Sequence, residues 1–247
     1  MNLKKKALLI IVSTSIFTPL CMAQQSGDVV VSLGGSFITP QTSTSNPSLT
    51  GNDQLGYINP AQQSGLNGAQ AKVGNTSTGT ISAIYMFTDN LAAELKIGYP
   101  PKLNASFSMA NGATDSNAIS FNMISPVVSA KYFFGDGKSL IRPYLSAGVS
   151  YVTFNNITVS SGSTLYQSGI ANNGASLSSA WAPQVGAGVA YNINDSWIAQ
   201  AGATYTQLKT TLTMNGSSTT PYPVSNTTTS DLKIIAMEYN IKIGYKF

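Results

Sequence analysis

The chain of 247 residues contains no histidine, a single cysteine, Cys21, and few charged residues. Without histidine, Ser–His and Cys–His catalysis, histidine metal ligands and histidine-based acid–base chemistry are excluded. Charged residues make up 9% of the chain, against about 25% in an ordinary soluble domain. We therefore expect no catalytic site, no cofactor and no metal ion, and we predict that the protein is not an enzyme.

The chain has a small excess of positive charge, with 13 Lys+Arg against 9 Asp+Glu. Lys4, Lys5 and Lys6 lie in a segment that we expect to be removed, so the excess of four falls by three to one. No stretch of the remaining chain clusters Lys or Arg, and a nucleic-acid partner is therefore not expected.

Residues 1–23 have the features of a secretory signal peptide. A basic start precedes a short apolar run, Ala7 to Val12, and small residues in Cys21-Met22-Ala23 predict cleavage after Ala23. A transmembrane anchor is one alternative, but the run is far shorter than the roughly 20 residues that a spanning helix needs. A lipoprotein site at Cys21 is another alternative, although Leu20 before it is not small.

The mature chain alternates apolar and polar positions, most clearly in its last segment. From Ile235 to Phe247 every second residue is apolar or aromatic, and Lys, Glu, Asn or small residues lie between them. A period of two predicts a strand with one apolar face. That face could pack on a protein core, but its length exceeds an average globular strand, which favours a wall that faces lipid.

The same alternation predicts seven further strands. The clear ones run through Leu91–Tyr99, Leu145–Tyr151, Trp181–Tyr191 and Trp197–Tyr205, and the weaker ones through 28–37, 74–87 and 123–134. No run of 18 apolar residues follows residue 23, so helical membrane spans are not expected. A strand needs roughly 9–11 residues to cross a bilayer, and we predict an all-β, eight-stranded antiparallel transmembrane β-barrel over residues 24–247.

The predicted connections alternate between short and long. The short ones, 88–90, 135–141 and 192–196, contain the Gly, Asn and Asp of turns, and the long ones are 38–73, 100–122, 155–179 and 209–230. A soluble sandwich has no reason to collect every long loop at one end, whereas an outer-membrane barrel has short periplasmic turns and long outer loops. We therefore expect a bacterial outer-membrane protein with four long outer loops and periplasmic termini.

Fourteen aromatic residues fall near the predicted strand ends, as expected for girdles at two membrane interfaces. Those near the periplasmic rim are Tyr85, Phe87, Tyr132, Phe134, Tyr191, Trp197, Tyr245 and Phe247, and those near the outer rim are Phe37, Tyr99, Tyr151, Phe154, Trp181 and Tyr205. Phe247, the last residue, also resembles the C-terminal signal that the outer-membrane assembly machinery reads. We expect that machinery and the outer-membrane lipid as partners.

Two motifs and the closing segment resemble the OmpW family of small bacterial outer-membrane proteins. They are the strand–turn–strand Tyr85–Leu95, the strand Arg142–Phe154 with its Arg-Pro-Tyr start, and Gly244–Phe247. The sequence departs from the family at Leu232, where proline is usual, and at Lys102, where the family shows histidine. The resemblance implies passive passage of small, mainly hydrophobic molecules. The alternative is a structural barrel, or an adhesion or receptor barrel whose long loops bind surface ligands.

Six charged residues lie on strand faces predicted to point into the lumen: Glu94, Lys96, Lys131, Glu238, Lys242 and Lys246. Because an unpaired buried charge is costly, we expect an ion-pair network that neutralises the lumen. A catalytic carboxylate or a selectivity ring is the alternative. An eight-stranded barrel is barely wide enough for its own side chains, which favours the network.

Three prolines, Pro100, Pro101 and Pro126, lie at the outer ends of two predicted strands. Because proline cannot donate to a ladder, we expect interrupted pairing around this hairpin. We hypothesise a lateral opening between strand 91–99 or 123–134 and a neighbour, through which an apolar solute passes sideways into the bilayer. The alternative is that the prolines only end strands and shape the connection 100–122.

Overall fold

The computed structural model describes residues 24–51, 60–109, 112–218 and 224–247, so the predicted signal peptide lies outside the described residues. The described residues form thirteen strands and two short helices: β1 Val29–Thr44, β2 Ser48–Gly51, α1 Pro60–Leu66, β3 Gln70–Val73, β4 Thr76–Met86, β5 Leu91–Gly98, β6 Lys102–Ser108, β7 Thr114–Ile124, β8 Val127–Phe133, β9 Ile141–Val159, α2 Thr164–Gln167, β10 Ala175–Leu177, β11 Ala180–Asn192, β12 Trp197–Ser218 and β13 Val224–Lys246. In these ranges no helix is both long and apolar enough to cross a membrane.

Eight strands of the described chain close into an antiparallel ring. Around the ring the order is β1, β4, β5, β8, β9, β11, β12 and β13, and β13 pairs with β1. Closure leaves no edge of the ring unpaired, which a bilayer requires because lipid offers no hydrogen-bond partners. The ring confirms the predicted eight-stranded barrel.

Three short turns lie at one end of the barrel, which we call the turn end. Each is closed by a side-chain oxygen: Thr88 Oγ1 accepts from the Leu91 amide at 2.9 Å, Asp136 Oδ1 from Lys138 at 2.9 Å and Asn194 Oδ1 from Trp197 at 2.8 Å. Asx and hydroxyl turns of this kind are what the sequence predicts at 88–90, 135–141 and 192–196. The opposite end is called the loop end.

The long connections are not the irregular loops that the sequence predicts. β1 continues to Thr44, β9 to Val159 and β12 to Ser218, and β2, β3, β6, β7 and β10 form within the predicted loops. β3, β6 and β7 pair in turn and join the loop-end part of β9, while β2 pairs β13 and β10 pairs β12. The barrel wall is therefore extended well beyond the predicted strand ends.

The extension was missed because the two faces of the strands exchange character along their length. On β13 the residues that point inward are Asn240 and Lys242 near the turn end, but Leu232 and Ile234 near the loop end. The outward residues change from Ile241 to Lys233 and Asp231, which are exposed. A search for outward apolar residues therefore stops where the strand still continues.

The predicted strand 123–134 is two strands. β7 ends at Ile124 and β8 begins at Val127, and Ser125-Pro126 separates them. The break is physical, because Pro126 has no amide hydrogen for a ladder. β7 and β8 both pair β9, one after the other along its length.

The aromatic rims follow the prediction at both ends except at Phe154. Side chains at the turn end point outward and contact each other edge to face, as Tyr85 and Phe87 do with ring centroids 5.1 Å apart. Phe154 instead points into the barrel and packs on Phe121 at 5.5 Å. Its placement beside Tyr151 in an outer girdle was wrong, since residues three apart lie on opposite faces of a strand.

Candidate functional site

The interior of the barrel is divided into layers along its axis, and the layer at the turn end is a plug. It consists of the buried side chains Val30, Ile84, Met86, Ala92, Phe133, Tyr144, Ala190 and Ile198. Arg142, which is fully buried, lies over Phe133 and donates to Gln24 Oε1 at 3.1 Å and to the Asp89 carbonyl at 2.6 Å. Arg142 was not among the predicted lumen charges, although its alternation with Tyr144 and Ser146 places it inward.

The next layer is an ion cluster, and it brings together five of the predicted lumen charges. Glu94 Oε2 lies 2.9 Å from Lys131 Nζ, and Glu94 Oε1 accepts from Lys242. One step toward the loop end, Lys96 Nζ donates to both Glu238 oxygens at 2.7 and 2.9 Å. The sixth charge, Lys246, lies apart from the cluster at the turn end, 3.6 Å from Asp28.

Neutral groups complete the ion cluster. Gln200 Oε1 accepts from Lys131 at 3.2 Å, Ser36 donates to Glu238 at 2.6 Å, and the Tyr144 ring centroid lies 4.4 Å from Lys131 Nζ. Three lysines against two glutamates leave one net positive charge, spread over hydrogen bonds and a ring face. Such a cluster fills the lumen with paired charge and resists the passage of an apolar molecule.

Glycine permits the cluster to form. A Cβ on Gly34 of β1 would overlap the Ile241 carbonyl oxygen and the Lys242 side chain, so glycine gives Lys242 the room to reach Glu94. Likewise, a Cβ on Gly188 or Gly202 would overlap the Tyr144 hydroxyl. These lumen-facing glycines are packing positions.

Beyond the ion cluster lies a wide apolar chamber that occupies the loop-end half. Its cavity volume is about 140 Å³, within about 1380 Å³ of non-atom space that includes open solvent. Lys96 and Glu238 form its floor, and its walls include Val73, Leu103, Phe107, Phe121, Phe154, Leu208, Leu232 and Ile234. Half of these wall residues, Val73, Leu103, Phe107 and Phe121, lie in segments that were predicted to be loops.

The mouth of the chamber is covered by the segments around α1 and α2. Leu66, Leu165 and Ile170 are buried beneath them. Gln62 Nε2 of α1 donates to the Ser168 carbonyl at 2.6 Å, and the amide of Thr164 donates to Asp115 Oδ2 at 2.7 Å. Asn226 of β13 donates to Gln62 Oε1 at 3.3 Å and Asn172 donates to the Ser217 carbonyl of β12 at 3.1 Å, so the cover is held on β7, β12 and β13.

The chamber wall is interrupted beside Pro100 and Pro101. The ladder between β4 and β5 ends with Tyr99 donating to the Gly79 carbonyl at 2.8 Å, and pairing resumes with Gly74 donating to Asn104 at 3.0 Å. Between these points, residues 75–78 and 100–103 form no backbone hydrogen bond with each other among the described residues. The Tyr99 side chain points outward and is 78% exposed, yet it lines the chamber.

The wall is also interrupted on the other side of the same prolines. β5 and β8 pair as far as Lys96 and Val127, and the next backbone bond runs from the Met123 amide to the Pro101 carbonyl at 3.3 Å. Pro126 lies inside this second gap. The three prolines that the sequence singles out therefore flank a weak point of the wall at the height of the chamber.

In the part of the chain that the structure describes, no group of three His, Cys, Asp or Glu side chains is close enough to hold a metal ion. Both lumen glutamates are held by lysine ammonium groups, and Glu238 also accepts from the Ser36 hydroxyl.

Comparison with known proteins agrees with the fold. The sequence pattern of the OmpW family matches residues 26–247. Outer membrane protein W of Vibrio cholerae serotype O1 is 26% identical over 225 residues, which cover 91% of each chain. The crystal structure of the outer membrane protein OprG from Pseudomonas aeruginosa superposes with a TM-score of 0.73 at 21% identity, over 92% of this chain and 99% of that one. The solid-state NMR structure of outer membrane protein AlkL superposes with a TM-score of 0.50 at 22% identity, over 100% of this chain and 97% of that chain.

Proposed function

This chain belongs to the OmpW family of outer-membrane proteins, and from that premise we propose that it lets small, mainly hydrophobic molecules pass the outer leaflet through a lateral opening. The observation that carries the proposal is the apolar chamber next to the interrupted wall at Pro100 and Pro101. Passage is passive and needs no chemistry.

We also propose an orientation, with the turn end and both chain termini in the periplasm. Short turns on the periplasmic side and a long extension outside are the general arrangement of such barrels. The exposed Asp231 and Lys233 on the outward face near the loop end place that end beyond the hydrocarbon, because charged side chains need water or polar headgroups. The mouth of the chamber then faces the cell exterior.

The layers of the lumen favour a sideways exit. A hydrophobic molecule that moved straight down the axis would meet the ion cluster and then the plug at Phe133 and Met86, both fully buried. Disrupting a buried ion pair is costly, so this route is unfavourable. From the chamber, by contrast, the gaps beside Tyr99 lead toward the outer leaflet without crossing the charged layer.

The test is a reversible bridge across the gap. Ser77→Cys and Lys102→Cys place thiols on exposed residues of its two rims, and a reducible bifunctional reagent joins them. Ile81→Cys with Ile97→Cys is the matched control, because these outward residues are direct partners in the intact ladder. The measurement is the rate at which whole cells take up a hydrophobic dye that fluoresces in membranes.

We expect the gap crosslink to lower dye uptake, and reduction to restore it. The control crosslink should leave the rate unchanged. Unchanged uptake with the gap crosslink fully formed would rule out an exit at this point. A structural or adhesion barrel would give no protein-dependent uptake and no conductance in planar bilayers, and would instead lose a surface ligand when the loop end is trimmed.

A further inference from the structure

The charged residues on the outer surface of the barrel are segregated between its two ends. The three short turns carry Asp89, Asp136 and Asp195, with Lys138 as their basic residue. In the described ranges, the exposed lysines on the outward face of the loop-end half are Lys72, Lys102, Lys209 and Lys233. The loop-end half therefore presents positive charge to its surroundings.

Lys209 of β12 and Lys233 of β13 are direct partners in the ladder, and both point outward. Like charges placed directly opposite each other on a sheet face destabilise it. No ion pair within 4 Å joins either lysine to a carboxylate in the part of the chain that is described. The outward carboxylate one step further along β13, Asp231, accepts from the Thr211 hydroxyl at 2.8 Å instead. This arrangement suits an anion that both ammonium groups share.

The position of the pair along the barrel indicates which anion. The next outward partners toward the turn end are Gln207 and Ile235, followed by Tyr205 and Met237, where the apolar wall begins. Ser43 of β1 lies on the other side of Lys233 and adds an exposed hydroxyl. Two cations and a hydroxyl directly above an apolar wall match an amphipathic molecule with an anionic head and hydrocarbon chains.

We propose that Lys209 and Lys233 form a binding site for a phosphate group of the glycolipid in the outer leaflet, whose acyl chains lie along Ile235, Met237 and Tyr205. Ammonium groups form charge-assisted hydrogen bonds with phosphate oxygens, and anionic membrane surfaces attract such lysines. The site rests on the orientation proposed above but not on transport. It ties the barrel to the lipid on the side opposite β5 and β8.

The test is a titration of the purified, folded protein with bisphosphorylated lipid A and with the same lipid after enzymatic removal of its phosphates. The variants are Lys209→Gln/Lys233→Gln, the conservative Lys209→Arg/Lys233→Arg, and Lys72→Gln/Lys102→Gln as a control that removes the same charge elsewhere. We expect the first variant to weaken lipid A binding roughly tenfold, and the other two to bind like the wild type. The dephosphorylated lipid should bind the wild type as weakly as lipid A binds the Gln variant.

A second readout keeps the result clear of folding effects. In detergent without lipid A, the Gln variant should be as stable to heat as the wild type or slightly more so, because the like-charge contact is relieved. With lipid A present, the order should reverse. If the Lys72→Gln/Lys102→Gln control lost binding equally, the effect would depend only on net charge and the site would be overturned. Preferential saturation by inorganic phosphate or a sulfated polysaccharide over lipid A would also overturn it. Dye uptake by the Lys209→Gln/Lys233→Gln variant is measured in parallel, so that a failure of the lipid A site can be told apart from a failure of the transport proposal.

Discussion

Two halves of one strand show how this barrel is built for two solvents. Near the turn end, β13 points Ile241 outward, 72% exposed, and Asn240 and Lys242 inward. Near the loop end it points Lys233 and Asp231 outward and Leu232 inward, where it is 5% exposed. The backbone alternation never changes, because a strand places successive side chains on opposite faces. What changes is the surroundings: apolar residues face out and charges face in near the turn end, whereas near the loop end charged residues such as Lys233 and Asp231 face out and the apolar chamber lies inside.

The largest expected effect comes from the charged interior of the turn-end half. Glu94→Gln removes the carboxylate that holds both Lys131 and Lys242, which leaves buried ammonium groups without their partner. We expect a loss of about 3–5 kcal/mol in the free energy of unfolding, measured by denaturant titration in lipid vesicles. Lys246→Gln, which removes a more exposed charge 3.6 Å from Asp28, should cost less than about 1 kcal/mol. Equal losses would contradict the cluster.

The lipid-facing surface of the same half is tested by a matched pair of neighbours. Ile241→Lys puts a charge into the hydrocarbon and should cost about 2–4 kcal/mol, visible as a lower yield of folded barrel that resists detergent denaturation. Asn240→Lys should be much milder, because Asn240 points into the lumen beside other polar groups. If both variants damaged assembly equally, the register of β13 would be wrong.

In the loop-end half we expect a substitution on the inward face of β13 to cost more stability than one on the outward face. Leu232→Ala enlarges the apolar chamber, and we expect a loss of about 2 kcal/mol, near the low end for a buried leucine, because the site already borders open space. Asp231→Ala on the outward face should change stability by no more than about 0.5 kcal/mol. A larger effect at Asp231 than at Leu232 would show that the inward face is not a core.

The smallest expected effect concerns how the two halves close. Near the turn end β1 is joined to its neighbours by backbone ladders, whereas near the loop end side chains join it to β3: the Ala71 amide donates to Thr44 Oγ1 at 3.0 Å and the Val73 amide to Thr42 Oγ1 at 3.3 Å. Thr44→Val should cost about 1 kcal/mol and speed hydrogen exchange at the Ala71 amide. Exchange at Leu33, inside the β1 ladders, should not change. Unaltered exchange at Ala71 would mean that the hydroxyl does not close this seam.

The sequence predicted the barrel because the membrane imposes its own pattern on each strand. The outward residues from Ile235 to Tyr245 suit lipid, and the same alternation recurs in the other predicted strands. It therefore predicted the number of strands, the direction in which their side chains point and the positions of the three turns. It gave much less of the chamber. Phe121, Leu212 and Leu232 lie in segments rich in Ser, Thr and Asn, and a strand with water on one side and a half-empty chamber on the other has no strong period to detect.

For the charged residues, too, part of the arrangement was predictable from the sequence and part was not. Alternation was enough to place Glu94, Lys96, Lys131, Glu238 and Lys242 in one lumen, but it could not say that Glu94 serves two lysines while Glu238 serves one. That partition depends on the stagger between strands and on the room that Gly34 leaves for Lys242. Pairing of Lys209 with Lys233 likewise depends on register, since 24 positions separate them along the chain.

The sequence by itself determined the fold, the family and the inward or outward direction of nearly every membrane residue, because those follow from local alternation against a fixed solvent. Only the tertiary structure decided where the wall is interrupted, how far the strands extend and which space they enclose. Pro100, Pro101 and Pro126 are visible in the sequence, but a missing amide hydrogen makes a gap only if the neighbouring strand also fails to bridge it. Here residues 75–78 form no backbone hydrogen bond with residues 100–103, although the Thr78 hydroxyl donates to the Tyr99 carbonyl at 2.5 Å, and that is a property of the assembled sheet.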